Sequence, residues 1–138
     1  MHPSALALAG YASWTLVLLA AIAVLRGSLT LVGEREPNSF GVDGSDVSPF
    51  ANRLCRAHAN CCENLPVFAA LVLLALATGH ESITDPLALW ALMARVGQSS
   101  VHLLSTANVA VLARFVFFLA QVLIQAWWAV QLLGAFRA

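Results

Sequence analysis

The residues best suited to chemistry stand just before an apolar stretch: Arg53, Arg56, Asn60, Glu63 and Asn64. On a helix they fall within one stripe of about 100°. His58 lies outside that stripe. The stripe offers two guanidinium groups, two carboxamides and one carboxylate. Two further seams repeat the pattern. Arg95, Gln98 and His102 recur at spacings of three and four, and Arg114, Gln121 and Gln125 share a face bordered by Phe118. A charge at the centre of a membrane helix costs about 2.5–3.5 kcal/mol on insertion scales, so such residues turn toward a bundle interior or water. Several arginines against one carboxylate suit an anion, because a guanidinium forks onto carboxylates. Glu63 suits an ammonium group. The set fits a small zwitterion with excess negative charge, and a nearby cation would also lower a thiol pKa.

The same residues have plainer uses. Arg56 and Glu63 could pair with each other, and Arg and Gln side chains fasten membrane helices together. His102 could serve as an interhelical hydrogen-bonding group. Cys55, His58 and Cys62 share a face and could hold a metal or haem, but they match no established ligand spacing. A free cysteine is also simply a small apolar residue. We therefore expect no metal. Trp14, Trp90, Trp127 and Trp128 read as interfacial anchors or lipid-facing bulk.

The elements that carry these seams follow from composition. The 138 residues are 60% hydrophobic and 10% charged, with a mean hydropathy of +0.81. A soluble domain carries about 25% charged residues. There is no lysine, and seven arginines balance seven acids. Zero net charge gives no support to a nucleic-acid partner. The reading is a single four-helix transmembrane domain, all-α, with spans near 4–25, 55–78, 85–104 and 108–134. Ser4 to Leu25 is free of charge and long enough to cross, since a crossing needs about 20 apolar residues. A cleaved signal peptide would start with a basic residue, and Met1-His2-Pro3 has none. Asp85-Pro86 reads as an N-cap followed by proline at the first helical position. The short Ser105–Asn108 break predicts an antiparallel hairpin of the last two helices. Segment 26–52 is the only long loop. Arg26, Arg35, Arg53 and Arg56 at its ends place it in the cytoplasm by the positive-inside rule, with both termini outside. The three seams then gather at the cytoplasmic level, which favours a site over a pore, whose polar stripes would run along whole spans.

Arg53, Arg56, Ala57, Asn60, Glu63, Pro66 and Phe68 together resemble a known signature. It is that of the MAPEG superfamily, the membrane-associated proteins in eicosanoid and glutathione metabolism: E-R-x-x-R-A-x-x-N-x-x-E-x-x-P-x-F. Arg95 with His102 resembles the family's third helix, and Arg114-Phe-Val-Phe-Phe the start of its fourth. The likeness covers residues 50–130. It implies a homotrimeric four-helix bundle in the bilayer, with glutathione as co-substrate bound between subunits near the cytoplasmic side. By motif position, Arg56, Asn60 and Glu63 would bind glutathione, with Arg53, His58, Arg95 and His102 beside them. Arg114 resembles the arginine that stabilises the thiolate. Arg26 falls near a ligand arginine of the first helix. Asn64 stands where the eicosanoid-forming members carry Tyr, so the likeness is nearer to a bacterial or microsomal-transferase type, in the inner membrane for a bacterial protein. The implied activity is a glutathione transferase or peroxidase acting on lipophilic electrophiles. The alternatives are a non-catalytic binding or scaffold protein on the same fold and a small channel or transporter subunit.

Overall fold

A computed structural model describes residues 2–137. Four helices follow in order: α1 (Pro3–Leu31), α2 (Pro49–Ala77), α3 (Glu81–Leu104) and α4 (Asn108–Ala135). The all-α fold class and the four-helix count match the sequence reading; three boundaries differ.

Helix α1 runs six residues past Leu25. The first charge does not end it, because Arg26 finds partners off the helix. Its guanidinium donates to the Gly41 carbonyl at 2.7 Å and lies 5.5 Å from the Phe40 ring. The helix ends two turns later at Gly33, whose φ of 75° is left-handed. There the Gly33 N–H returns to Thr30 and the Glu34 N–H to Leu29, each at 3.0 Å. That pair of bonds satisfies the last carbonyls as a glycine C-terminal turn does.

Helix α2 begins at Pro49 instead of residue 55. Ser48 caps it, accepting the Ala51 N–H at 3.0 Å, and Pro49 takes the first helical position. Both are favoured at those positions. The loop between α1 and α2 is folded onto this turn. Asp46 accepts the Gly41 N–H at 3.2 Å and Arg35 Nη1 at 2.6 Å, and Arg35 also donates to the Asp46 carbonyl. The Gly41 amide, with Arg35 beside it, holds the Asp46 carboxyl below the usual carboxylate range. The Ser45 amide and hydroxyl do the same for Asp43. Asn52 donates to the Asp43 carbonyl at 3.0 Å. At the centre of this fold Gly44 is buried with φ 68°, and a Cβ there would stand 3.0 Å from the Ala51 backbone and 3.1 Å from Cys55 Sγ.

Helix α3 begins at Glu81, four residues before the expected Asp85 cap, and Pro86 lies inside it. Asp85 serves a different helix. It accepts the Ser4 N–H of α1 at 3.0 Å, and Ser4 Oγ lies 2.7 Å from Thr84 Oγ1. The side chain of His2, the residue at the α1 N-cap position, makes no capping bond. A carboxylate from α3 thus satisfies an amide that α1 leaves open, where the helix dipole also favours an acid. At the opposite end, Arg53 Nε donates to the Leu103 carbonyl at 2.9 Å and so caps α3 from α2. Three residues, Ser105 to Ala107, join α3 to α4, which pack as the expected hairpin.

Helices α1, α2 and α4 are long and apolar enough to cross a bilayer. Helix α3 has 24 residues, a rise of about 36 Å. Its less apolar composition is turned inward: Arg95, Gln98, Ser99 and His102 are all buried. Alanines at 7, 57, 88 and 91 are fully buried, and small residues let membrane helices approach closely. An aromatic row crosses the core, with Tyr11 5.1 Å from Phe68 and Phe68 5.8 Å from Trp128. Trp128 is therefore a core residue, 0% exposed, and not a membrane anchor, whereas Trp90 and Trp127 face outward as read. Helix α3 touches all the others. Helices α2 and α4 meet over a short stretch only, and α1 and α4 do not pack together.

Candidate functional site

Because α2 and α4 barely meet, a groove opens between them, with α3 as its floor. It has two connected parts that share Asn60, Gln98 and Phe118. The part near the α3–α4 turn holds about 250 Å³ and is lined by Arg56 from α2, His102 from α3 and Arg114 from α4. The deeper part holds about 480 Å³ and is lined by Glu63, Asn64, Arg95 and Gln125. Beyond these its walls are apolar: Val67, Leu71, Val122, Ala126 and Ala129. Small-molecule sites commonly enclose about 300–1,000 Å³.

The seams of the sequence reading therefore do converge. Arg56, Asn60, Glu63, Arg95, His102 and Arg114 all line the groove. Arg53 and His58 do not. Arg53 is spent on the Leu103 carbonyl and lies 5.9 Å from the Phe50 ring. His58 sits on another face, with its Nε2 3.4 Å from Cys62 Sγ. Cys55 is apart from that pair, under Gly44. Among the described residues no three His, Cys, Asp or Glu side chains are grouped as metal ligands. Arg26 is engaged by the loop.

The plainer reading of Arg56 and Glu63 as a pair does not hold. Among the described residues the ion pairs are His2–Asp85 and Arg35–Asp46, both outside the groove. Arg56, Glu63, Arg95 and Arg114 line it without an ionic partner. Arg95 is 1% exposed and stacked 5.5 Å from the Tyr11 ring, and its Nε has no hydrogen-bond partner. An unpaired buried charge costs several kcal/mol, so Arg95 is poised for a ligand.

The amides are ordered by one another. Gln121 Nε2 donates to the Phe117 carbonyl at 2.8 Å and to Gln98 Oε1 at 3.0 Å, and its Oε1 accepts from Asn64 Nδ2 at 3.3 Å. Gln121 was legible as a seam residue, but its role as a brace under the groove was not. The apolar wall carried no separable signal, since Val67 and Val122 resemble every other lipid-facing residue of their helices.

A family model for the MAPEG family matches residues 4–134, a wider span than the likeness read from residues 50–130. No curated protein was found that matches the chain. With its four helices and this match over nearly its whole length, the chain belongs to the MAPEG family, integral membrane proteins of the eicosanoid and glutathione metabolism type.

Proposed function

We propose that the protein is a membrane-bound glutathione-dependent transferase or peroxidase for lipophilic electrophiles, working as a homotrimer. The observation that carries this reading is the pair of guanidinium groups, Arg56 and Arg114, lining one cavity with His102 and no carboxylate. Glutathione has two carboxylates, one ammonium group and one thiol. Arg56 takes a carboxylate, for which a guanidinium fork is suited. Glu63, the one carboxylate among the residues lining the groove, takes the ammonium group, and Asn60 sits between the two parts. Arg114 favours the ionised thiol, as a nearby cation does. The bound thiolate supplies a nucleophile for a lipophilic electrophile, or reducing equivalents for a hydroperoxide. The apolar walls at Val67, Leu71, Val122 and Ala126 receive that second substrate from the bilayer.

Arg56 and Glu63 are exposed on the single chain. Charges at membrane depth are expensive in contact with lipid, which supports a second copy closing the groove. We place the side bearing the α1–α2 loop, with Arg26 and Arg35, in the cytoplasm of a bacterial inner membrane or its equivalent.

Glutathione binding to the detergent-purified protein tests the reading, with thiolate absorbance as the readout. The wild type should develop the absorbance at millimolar glutathione, Arg56→Ala should weaken binding, and Arg114→Ala should bind without the thiolate signal. No absorbance and no binding in the wild type would sink the proposal. Thiolate formation without turnover of any lipophilic electrophile would leave a binding protein on the same fold.

A further inference from the structure

His102 stands in the last turn of α3, and that turn is held from another helix. Arg53 Nε of α2 donates to the neighbouring Leu103 carbonyl at 2.9 Å. The His102 ring is 6% exposed and hydrogen-bonds no described residue, yet its nitrogens are not sealed away as Arg95 Nε is. A histidine between membrane helices ordinarily bonds one helix to the next. This one makes no such bond, and instead lines the part of the groove near the α3–α4 turn, a cavity of about 250 Å³.

Among the residues lining that cavity, no other can take a proton near neutral pH. Arg56 and Arg114 stay charged and offer no acceptor. Asn60 and Gln98 are neutral amides, and the rest of the lining is apolar. Imidazole is the side chain whose ordinary range reaches neutrality. Glu63, the carboxylate of the groove, lies in the deeper part, about 10 Å along α2 from Arg56.

The charged groups that face the ring are cations: Arg53 and Arg56 on α2 and Arg114 on α4. On α3 itself Arg95 lies two turns deeper, and Arg26 of α1 is turned to the Gly41 carbonyl. With the cavity empty these cations favour the neutral ring, which keeps one acceptor nitrogen. Glutathione brings two carboxylates against one ammonium group, and carboxylates pair with guanidinium groups. The cations around the ring are then compensated at the moment the thiol must lose its proton.

We propose that His102 is the base that takes the thiol proton. The role rests on the glutathione reading of the groove. Arg114 and His102 line the same small cavity, so a sulfur drawn to Arg114 lies within reach of the ring. The S–H bond breaks and its electron pair stays on sulfur as the thiolate. The proton bonds to the free imidazole nitrogen, giving imidazolium. Once sulfur has bonded to the electrophile, the imidazolium passes its proton to the anion formed on the electrophile or displaced from it, and the ring is neutral again. Arg114 holds the charge; His102 removes the proton.

Stopped-flow thiolate absorbance on mixing purified protein with glutathione at neutral pH measures the step. His102→Gln keeps a polar side chain and removes the base. It should slow thiolate formation about a hundredfold or more, the usual contribution of a positioned base. Its affinity for S-methylglutathione, which has no thiol proton to lose, should match the wild type. His102→Ala should be as slow, and free imidazole in the buffer should restore its rate in proportion to the unprotonated imidazole as pH is varied. Added base cannot rebuild a lost helix contact, so rescue separates a base from a structural group. A wild-type rate in His102→Gln overturns the proposal. So does a slow His102→Ala that binds S-methylglutathione and that imidazole does not restore. If His102→Ala binds no S-methylglutathione, the rate and affinity of His102→Gln decide. A wild type that binds neither glutathione nor S-methylglutathione removes the glutathione reading and this role with it, whereas thiolate formation indifferent to residue 102 removes this role alone.

Discussion

Gly44→Ala should damage this protein well beyond the usual cost of an alanine in a left-handed position. Gly33 and Gly44 have nearly the same conformation, φ 75° and 68°. A Cβ at Gly33 meets nothing within 4 Å, whereas at Gly44 it stands 3.0 Å from the Ala51 carbonyl group and 3.1 Å from Cys55 Sγ. Gly33→Ala therefore bears the left-handed penalty of about 1–2 kcal/mol, offset by about 0.4–1 kcal/mol from a stiffer unfolded chain. Gly44→Ala adds a clash with backbone, which cannot rotate away. Overpacking of that sort costs about 1–3 kcal/mol more. The first turn of α2 must shift, and that turn carries Arg53 and leads to Arg56. Thermal melting of detergent-purified variants gives the first measurement. The second is the maleimide labelling rate of Cys55 with Cys61 and Cys62 changed to Ser. Gly44→Ala should melt several degrees below Gly33→Ala, since 1 kcal/mol corresponds to roughly 3–5 °C at this size, and should expose Cys55. Equal melting and equal labelling in the two variants would refute the close packing of the loop on α2.

Two further outcomes follow from the ends of the bundle. Asp43 and Asp46 are held below the ordinary carboxylate range by the amides of Ser45 and Gly41. A lowered folded pKa gives stability that is present above the unfolded value and lost as pH falls through the folded one. Melting should thus be flat from neutral pH to about pH 4 and fall below it, with Asp46→Asn showing a smaller fall. Asp85→Ala should cost about 1 kcal/mol, the usual value of a helix N-cap, although Asp85 belongs to a different helix from the one it caps. Hydrogen exchange at the Ser4 amide reads this directly, and unchanged protection there would count against the latch.

The helix count and the polar faces were legible because both depend on local periodicity. The 3.6-residue repeat fixes that Arg95, Gln98 and His102 share a side, whatever packs against it. Boundaries were less legible because they depend on partners distant in sequence. The polar stripe from Arg53 to Asn64 was legible as helix, but the true start at Pro49, capped by Ser48, lies in turns that carry no apolar repeat and was read as loop. Asp85-Pro86 has the form of a helix start, yet its carboxylate is taken by Ser4, eighty-one residues away. Trp128 and Trp127 are adjacent and alike in type, and only tertiary packing sends one into the core and the other outward. At the site, the sequence gathered the arginines but could not tell which were already engaged. Arg53 and Arg56 are three residues apart, and one is tied to a helix end while the other faces the groove.

The near absence of contact between α2 and α4 has a consequence for how such a protein can diversify. Its wall residues Val67, Val122, Ala126 and Ala129 lie outside the buried core that joins α1, α2, α3 and Trp128, whereas Leu71 packs against that core. Width is set by α3, which both neighbours grip, and by the two α2–α4 links at Asn64–Gln121 and Phe68–Trp128. Substitutions on the walls can therefore retune which molecules are admitted without disturbing what keeps the helices assembled. Scaffold and selectivity are written on different faces of the same helices, so one can vary while the other is held fixed.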